Sequence, residues 1–384
     1  MTRLFRIVLT GGGSGGHIFP LVAVADSLIE IKNELKLDNL EIFYLGPQNI
    51  FNEEFKRRDI KVFNISGAKW RRYLDIANLV DIPKFFWSFI QALFILFKLM
   101  PDVVFSKGGT GALPVILAAK FYFIPIIIHE SDSIPGLTNR ISGKLAKRVA
   151  ISFLKSAVFF PREKTALIGQ PVRHNLLVDL PVSYSNIKKY LGFNEDMPLI
   201  LVLGGSQGAA IINNFIVNNL ESLLQEFQIY HQTGPLNKEE VEIITNQILM
   251  NLSDSLKRRY RCVGFLDSDQ LRLALSAADL VISRAGAGAI FEIAAFGKPA
   301  ILIPITESAN NHQLNNAYEY ANTGAAVVVE EANFKLNIIL RQIKNIIEDR
   351  RLQEEMIQAA KKFARPKAAR MIAEEILKLA RKEI

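Results

Sequence analysis

Cysteine is almost absent from this sequence, in which Cys262 is the single thiol among 384 residues. One cysteine excludes a disulfide framework within the chain and is typical of proteins from a reducing compartment. No long hydrophobic segment ending in small residues precedes the first apolar run, so we expect no secretory signal. These absences together favour a cytoplasmic location.

Several signatures of cofactor and metal binding are missing as well. No Walker lysine follows either glycine-rich turn, and the strands that would hold a dinucleotide ribose end in LGP (residues 45–47) and QTG (residues 232–234), without an acidic residue. The one Asp-x-Asp match, at residues 267–269, precedes a helical stretch and is interpreted as a helix cap. The histidines are scattered along the chain: His17, His129, His174, His231 and His312. We therefore expect no dehydrogenase, no cofactor, no metal and no nucleic-acid partner.

Glycine, by contrast, is concentrated in two turns that each follow a short apolar run. Residues 4–10 lead into GGGSGGHIFP (residues 11–20), and residues 199–203 lead into GGSQGA (residues 204–209). Turns without bulky side chains let backbone N–H groups and helix N-termini approach anions closely, which is a common way to hold a diphosphate. The sequence therefore predicts two Rossmann-like halves that face one phosphorylated substrate.

Apolar runs alternate with helical stretches along the whole chain, as in parallel α/β folds. At 49% hydrophobic residues the chain is long enough for two separate cores. We expect an N-terminal domain over residues 1–165 and a C-terminal domain over residues 166–363. A C-terminal helix over residues 364–384 is expected to return to the N-terminal domain, with Pro366 marking a break before it.

The excess positive charge lies in the first half of the chain. Residues 1–172 contain 22 basic and 14 acidic residues, whereas the remainder contains 24 of each. A 13-residue apolar run, residues 85–97, lies beside basic residues in this half. Thirteen residues are too few to span a bilayer, which needs about 20. Aromatic side chains beside basic ones are typical of a segment in an anionic membrane interface, so we favour peripheral membrane contact over a buried core helix. The predicted contact residues are Phe85, Phe86, Trp87, Lys69, Arg71, Arg72 and Lys84.

Seven sequence blocks occur in the order found in the MurG family, the inverting N-acetylglucosaminyltransferases that make lipid II from lipid I. They are GGGSGGHIFP, HESDSIPGLTN, IGQPVR, GGSQGA, HQTG, SRAGAGAIFE and NNHQLNNA. The chain resembles this family over nearly its whole length, and seven ordered blocks are far more specific than one glycine loop. The resemblance implies a GT-B fold, in which two Rossmann-like domains with parallel sheets face a central cleft. It also implies two substrates, UDP-N-acetylglucosamine held mainly by the C-terminal domain and an undecaprenyl-diphosphate-linked muramyl peptide held by the N-terminal one, at the cytoplasmic face of the membrane.

The resemblance further implies a donor site. Glu292 would accept hydrogen bonds from the uridine ribose hydroxyls, and Leu266 would pack near uracil. Gln313, with His312 beside it, would bind the hydroxyls of the donor sugar. Arg173 would neutralise negative charge on the departing UDP. The other implied donor residues are Ser14, Gly15, Gly16, Ser206, Gln207, Ala287 and Gly288, with Asn316 in support, and Arg284, which could equally brace its own loop.

Transfer needs a general base, because the muramyl hydroxyl loses a proton as it attacks the anomeric carbon from the face opposite UDP. His17, at the first glycine-rich turn, is the first candidate, since its unperturbed pKa of about 6.5 suits the task. A histidine that only caps the loop is the alternative. Glu130 is the second candidate, which His129 could orient. The implied acceptor-binding residues are His17, Gly108, Gly109, Thr110, His129, Glu130 and Asp132.

The sequence departs from the family pattern at three places. Thr110 replaces the tyrosine of GGYVSGP, Ser131 and Asp132 replace the last two residues of HEQN, and Ala289 replaces a hydroxyl residue. Two of these places lie in the expected acceptor half, so the donor is better supported than the acceptor. Three alternatives remain: a GT-B glycosyltransferase for another lipid-linked acceptor, a UDP-N-acetylglucosamine 2-epimerase, and a non-catalytic membrane-bound nucleotide-sugar-binding module.

Overall fold

The computed structural model describes residues 4–67, 77–178, 184–205, 208–306 and 311–381. These residues form two compact units. The first unit comprises Met1–His174 together with Arg365–Ile384, and the second comprises Asn175–Ala364.

Each unit is built on one sheet in which all strands are parallel. The first sheet has seven strands in the order β3-β2-β1-β4-β5-β6-β7, and the second has six in the order β10-β9-β8-β11-β12-β13. The strands are β1 Phe5–Thr10, β2 Leu40–Pro47, β3 Lys61–Ile65, β4 Val103–Ser106, β5 Ile126–Glu130, β6 Arg148–Ile151, β7 Thr165–Leu167, β8 Leu199–Leu203, β9 Gln228–Gln232, β10 Tyr260–Val263, β11 Leu280–Ser283, β12 Ala300–Leu302 and β13 Ala326–Val328.

Helices cover both faces of the sheets, which is why most strands are continuous apolar runs. The helices are α1 Gly15–Glu34, α2 Asn52–Lys56, α3 Ala77–Leu99, α4 Leu113–Phe121, α5 Leu137–Leu145, α6 His174–Leu177, α7 Tyr184–Tyr190, α8 Ala210–Asn218, α9 Leu220–Leu224, α10 Lys238–Met250, α11 Asp254–Lys257, α12 Ser268–Ala277, α13 Ala287–Ala295, α14 His312–Ala321, α15 Leu336–Glu348, α16 Arg350–Phe363 and α17 Ala368–Arg381. The predicted alternation of strand and helix is therefore confirmed.

The C-terminal helix α17 packs into the core of the first unit. Its buried residues Ile372 and Ile376 belong to the same cluster as Ile7 of β1 and Leu28 of α1. At the surface, the guanidinium group of Arg370 donates to both carboxylate oxygens of Glu34, the last residue of α1, over 2.9 and 2.6 Å. α16 ends at Phe363 and α17 begins at Ala368, so the break predicted at Pro366 is confirmed.

In both sheets the strand order reverses direction at the strand that precedes a glycine-rich turn. β1 lies between β2 and β4, and β8 lies between β9 and β11. The connections that follow β1 and β4, and likewise those that follow β8 and β11, therefore run in opposite directions, which opens a crevice between them at the carboxyl ends of the strands. Ligands of doubly wound sheets bind at such points. The carboxyl ends of the strands, here called the carboxyl edge of each sheet, are therefore the candidate binding sites.

The second unit contains the helix cap that the sequence predicts. Asp267 caps α12: its side chain accepts a hydrogen bond from the N–H of Gln270, whose side chain accepts one from the N–H of Asp267. The Asp-x-Asp match is thus a capping box, and the interpretation as a cap is confirmed.

Candidate functional site

The turns after β1 and β4 meet at the carboxyl end of the first sheet. The backbone N–H of Gly12 donates to the carbonyl of Gly108 over 2.8 Å. Gly109 has φ +87°, and a Cβ atom there would lie 2.7 Å from Cα of Gly12. Glycine alone tolerates both this backbone conformation and this close approach. The predicted acceptor residues Gly108, Gly109 and Thr110 therefore belong to a surface that adjoins the first glycine-rich turn.

The same turn leads directly into α1. The helix begins at Gly15 after Ser14, whose side chain makes no capping hydrogen bond. At Gly16 an added Cβ atom would meet no atom within 4 Å, so the first helical turn borders open space. Such a helix N-terminus carries partial positive charge and favours an anion.

His17 lies in this first turn of α1, beside both glycine turns. Its Nδ1 is 2.7 Å from the hydroxyl of Ser14, and its Nε2 lies beside Gly109. Burial lowers the pKa of His17 to about 4, an effect that the positive charge of Lys107 strengthens and the negative charge of Asp132 opposes. The expectation of an unperturbed pKa of about 6.5 is therefore wrong. The imidazole is neutral at physiological pH and can accept a proton, but it is a weaker base than an exposed histidine.

Glu130, the rival base, ends β5 and is only 4% exposed. Its carboxylate accepts hydrogen bonds from the backbone N–H of Asp132 over 2.9 Å and from the amide of Asn139 over 3.0 Å. Burial raises the pKa of Glu130, the charge of Asp132 raises it further, and the charge of Lys107 lowers it. Both carboxylate oxygens are thus engaged, although the group binds a proton more readily than an exposed glutamate.

His129 is fully buried beside Glu130 in β5. Its Nε2 lies 2.8 Å from the carbonyl oxygen of Gly169 and 3.3 Å from the hydroxyl of Ser152. Burial lowers the pKa of His129 well below 6.5, so the ring is neutral. The Glu130 carboxylate accepts its hydrogen bonds from Asn139 and the backbone of Asp132 rather than from His129.

Lys107 is a residue of this edge that the sequence analysis missed. It follows β4, is 2% exposed, and donates from Nζ to the hydroxyl of Ser131. Ser131 in turn donates to the amide oxygen of Gln170 over 2.8 Å. Burial lowers the pKa of Lys107 to about 8, while the charges of Glu130 and Asp132 raise it. A charged residue between a buried strand and a glycine pair is the signal that could have identified it. Two residues that depart from the family pattern, Ser131 and Asp132, therefore interact with this one buried cation.

Arg173, a predicted donor residue, belongs to the first unit. Its guanidinium carbon lies 4.7 Å from the ring centroid of Phe19 on α1, a distance at which a cation is attracted to an aromatic face. This contact places the arginine against the helix that the first glycine-rich turn begins.

The turn after β8 has the second glycine-rich sequence. Gly205 and Gly208 have φ values of +82° and +83°, and a Cβ atom on Gly208 would collide with the carbonyl oxygen of Thr233. Glycine is required at Gly208 for both reasons. The predicted donor residues Ser206 and Gln207 lie outside the described residues.

Leu266 lies in the loop between β10 and α12, close to the same edge of the sheet. It is buried, and its backbone N–H donates to the side-chain oxygen of Gln232 over 3.2 Å. The other end of that amide donates to the carbonyl of Gly205 over 3.2 Å. Gln232, which the sequence analysis did not select, thus joins the turn after β8 to the loop after β10.

Arg284 follows β11 and braces the neighbouring loop. Its Nη1 donates to the carboxylate of Glu331 over 2.6 Å and to the carbonyl of Ile303 over 3.1 Å. Glu331 also accepts a hydrogen bond from the hydroxyl of Thr306. The guanidinium group therefore holds the loop after β12, which is one of the two roles that the sequence left open.

α13 begins at Ala287, with Gly286 as its N-cap residue. Cβ atoms added at Gly286 or Gly288 would meet no atom within 4 Å, so the N-terminus of this helix borders open space. Glu292 lies in the second turn of α13 and is half-buried. The predicted residues Ala287 and Gly288 thus lie where a helix N-terminus is accessible to an anion.

α14 begins at His312, after the left-handed residue Asn311. The side-chain oxygen of Gln313 accepts a hydrogen bond from the backbone N–H of Ile305 over 3.3 Å. Asn316 is fully buried and donates to the carbonyl of Ala285 over 3.3 Å. These contacts join α14 to the loops after β11 and β12. The described donor residues of the second unit thus lie at one sheet edge, whereas Ser14, Gly15, Gly16 and Arg173 belong to the first unit.

α3 presents a broad apolar surface outside these two edges. Ala92, Leu96 and Leu99 are buried in the core of the first unit. The opposite side exposes aromatic and aliphatic residues, and the α4–β5 turn extends it with two more phenylalanines. We call this surface the aromatic face; it comprises Phe86, Trp87, Ile90, Phe94, Phe97, Phe121 and Phe123.

The structure of α3 bears on both interpretations of the apolar run. α3 has 23 residues rather than 13, and its Ile82–Leu99 window is long and apolar enough to cross a membrane by length and composition, with 22% of the window buried. The length of this helix by itself therefore does not exclude a membrane span. The alternative interpretation, a buried core helix, does not agree with the exposure of Phe86 and Trp87. Phe85 is partly buried and Lys84 is exposed, whereas Lys69, Arg71 and Arg72 lie outside the described residues.

Within the described part of the chain, no group of three or more His, Cys, Asp or Glu residues is placed to hold a metal ion. The two edges present helix N-termini, a neutral histidine, a buried lysine and carboxyl groups.

Family models and known proteins agree on what this chain is similar to. Residues 7–151 match the glycosyltransferase family 28 N-terminal domain, and residues 199–372 match its C-terminal domain. A Clostridium kluyveri protein named UDP-N-acetylglucosamine--N-acetylmuramyl-(pentapeptide) pyrophosphoryl-undecaprenol N-acetylglucosamine transferase is 37% identical over 344 residues, which are 89% of this chain and 91% of that protein.

Solved structures show the same architecture. The MurG crystal structure from Acinetobacter baumannii superposes with a TM-score of 0.71 at 26% identity, covering 97% of this chain and 99% of the other. UDP-GlcNAc 2-epimerase from Neisseria meningitidis, bound to UDP-GlcNAc, superposes with a TM-score of 0.67 at 14% identity, covering 97% of this chain and 100% of that one. At that identity the second likeness shows the fold alone. The fold is GT-B, as the sequence predicts.

Proposed function

Because the chain belongs to glycosyltransferase family 28, we propose that it transfers N-acetylglucosamine from UDP-N-acetylglucosamine to the 4-hydroxyl of the muramyl sugar of lipid I, giving lipid II. The observation that carries this proposal is the 37% identity to a transferase of that name over about nine tenths of both chains. Such a reaction is an inverting hexosyl transfer that serves peptidoglycan synthesis, cell shape and cell division.

The carboxyl edge of the second sheet supports the donor half of this proposal. The N-terminus of α13 borders open space at Gly286 and Gly288, and the turn after β8 is rich in glycine. Both features suit a diphosphate. Glu292, the sixth residue of α13, would accept hydrogen bonds from the ribose hydroxyls, and Gln313 with His312 would bind the sugar.

The carboxyl edge of the first sheet supports the acceptor half. His17 is the base in this proposal, because its imidazole is neutral and less buried than the carboxyl group of Glu130. The muramyl oxygen forms a bond to the anomeric carbon while its proton passes to an imidazole nitrogen. The bond from that carbon to UDP breaks on the opposite face, and the leaving diphosphate takes the electron pair. Arg173 would offset that negative charge.

The proposed acceptor resides in a membrane, and the aromatic face supports contact with its cytoplasmic surface. Bulky apolar side chains on one side of α3 would insert among lipid chains, while its other side stays in the protein core. Exposed Lys84 and Lys98 at either end of the apolar run would attract anionic headgroups. We place the protein at the cytoplasmic face of the bacterial membrane as a peripheral enzyme.

A different lipid-linked acceptor is the second candidate. The observation that favours it is the interaction of Lys107 with Ser131 and Asp132, since those two residues depart from the family pattern at the acceptor edge. The donor-binding residues at the carboxyl edge of the second sheet would be the same for either acceptor.

Incubation of the purified protein with labelled UDP-N-acetylglucosamine and a lipid I analogue tests the proposal. We expect a labelled disaccharide that remains attached to the lipid. Release of free N-acetylmannosamine would identify an epimerase, and donor binding without turnover would identify a binding module. Transfer to other polyprenyl-linked sugars, but not to lipid I, would establish the second candidate.

A further inference from the structure

Gln232 occupies a central position at the carboxyl edge of the second sheet. It is the last residue of β9, which lies between β8 and β10, and it is 5% exposed. The loops that follow those two neighbouring strands contain Gly205 and Leu266. A side chain at the end of the middle strand can therefore contact both loops.

The two ends of the Gln232 amide bind those loops in one orientation. Nε2 donates to the carbonyl of Gly205 over 3.2 Å, and Oε1 accepts from the N–H of Leu266 over 3.2 Å. Rotation of the amide by half a turn would set its oxygen against a carbonyl and its NH₂ group against an N–H. Both hydrogen bonds would be lost, so the contacts specify a glutamine in this one orientation.

We propose that Gln232 is a positioning residue for the nucleotide-sugar donor, because its amide joins the glycine turn that holds the diphosphate to the loop that packs against uracil. This role rests on the proposed function, which assigns the two loops to the two parts of UDP. A uridine diphosphate spans both loops, so their relative position must be set before or during binding. If the Gln232 amide fixes the relative position of the two loops before UDP binds, binding does not have to supply the free energy of ordering them.

The test separates the contribution of the diphosphate from that of the nucleoside. Calorimetry gives Kd for UDP, and displacement of UDP gives Kd for uridine. The ratio of the Kd for uridine to the Kd for UDP measures how much the diphosphate contributes to binding affinity. In Gln232→Met, which fills similar volume without either hydrogen bond, we expect this ratio to fall about tenfold, as two ordinary hydrogen bonds imply.

Gln228 offers a matched control at the other end of the same strand. It is 1% exposed and its amide makes three hydrogen bonds, to the N–H of Asn194 (2.7 Å), to the carbonyl of Asn194 (2.9 Å) and to that of Met197 (3.0 Å). Gln228→Met therefore removes a buried glutamine amide far along β9 from the two loops. We expect it to lower Tm while the Kd ratio stays within twofold of the wild type.

Gln232→Glu adds a second check, because a carboxylate still accepts from Leu266 but repels the carbonyl of Gly205 and a bound diphosphate. The ratio of uridine Kd to UDP Kd should fall further in Gln232→Glu than in Gln232→Met. Should either variant not fold, Gln232→Asn, which is one methylene too short to bridge both loops, provides the same comparison.

Two outcomes would separate this role from the proposed function. If the wild type binds neither UDP nor UDP-N-acetylglucosamine, the donor site itself is overturned. If the wild type binds UDP and the Gln232 variants keep its Kd ratio within twofold, the donor site stands and the positioning role of Gln232 is wrong.

Discussion

At His17 the protein holds an imidazole between two glycine turns and keeps it neutral. A general base must be unprotonated, and burial lowers the pKa of His17 to about 4. The value of kcat/KM reports ionisations of the free enzyme. With His17 as base, we expect kcat/KM for a soluble lipid I analogue to remain level as pH falls from 7 to about 5.

His17→Ala should keep UDP binding and lose turnover by about 10²–10⁴-fold.

The same pH profile distinguishes the rival base. Burial and Asp132 raise the pKa of Glu130, so a rate that depends on its carboxylate would decline closer to neutral pH. A decline of that kind, together with an inactive Glu130→Gln and a nearly normal His17→Ala, would transfer the base role to Glu130.

Glu292 tests the donor edge at the level of one side chain. Its carboxylate is proposed to accept hydrogen bonds from the ribose, and charged acceptors contribute about 1.5–3 kcal/mol each. Glu292→Ala should weaken UDP binding by that amount, measured by calorimetry, while Glu292→Gln should recover part of the loss. An unchanged affinity in Glu292→Ala would remove this residue from the site.

Among the elements, α3 combines a side in the core with a side in solvent. Apolar insertion is little screened by salt, whereas attraction between lysines and anionic lipids is screened within about a Debye length. Phe86→Ser with Trp87→Ser should therefore reduce co-sedimentation with anionic vesicles at every salt concentration. Lys84→Gln with Lys98→Gln should reduce it chiefly at low salt.

Exposed apolar residues of the second unit provide the control for this experiment. Leu236 and Met250 are 92% and 74% exposed. Serine at both positions should leave vesicle binding unchanged if the aromatic face is the contact surface. Equal losses in the control and in the α3 variant would show that vesicle binding follows general hydrophobicity instead. All of these variants should still glycosylate a soluble acceptor analogue.

For the whole molecule, three histidines with lowered pKa values predict instability in acid. Burial lowers the pKa values of His17 to about 4 and His231 to about 3, and that of His129 well below 6.5. Between those values and 6.5 the unfolded chain binds more protons than the folded one, so the free energy of unfolding decreases as pH falls. Glu130, whose pKa is raised, acts in the opposite direction.

Chemical denaturation at pH 7 and at pH 5 measures this dependence. We expect the wild type to lose a few kcal/mol over that interval. His231→Gln removes one titrating group of the second unit, whereas the proposed base belongs to the first, and this variant should show a smaller loss. A slope in His231→Gln as steep as in the wild type would mean that His231 does not contribute to the acid instability.

Much of the architecture follows from local patterns in the sequence. Short apolar runs between helical stretches predict parallel sheets because strands covered on both faces must be apolar throughout. Glycine at positions with positive φ, as at Gly109 and Gly208, follows from steric limits on the backbone alone. The capping box at Asp267 is equally local, since its partners are three residues apart.

Tertiary structure decided which distant side chains meet. Lys107, Ser131 and Gln170 form one hydrogen-bonded chain because β4, β5 and the loop after β7 end at the same edge of a sheet. Gln232 bridges two loops because β9 lies between β8 and β10. The neutrality of His17 likewise depends on burial and on the charge of Lys107, 90 positions away in the chain. Local patterns could not predict these contacts, because sheet order and burial arise from the packing of the whole unit.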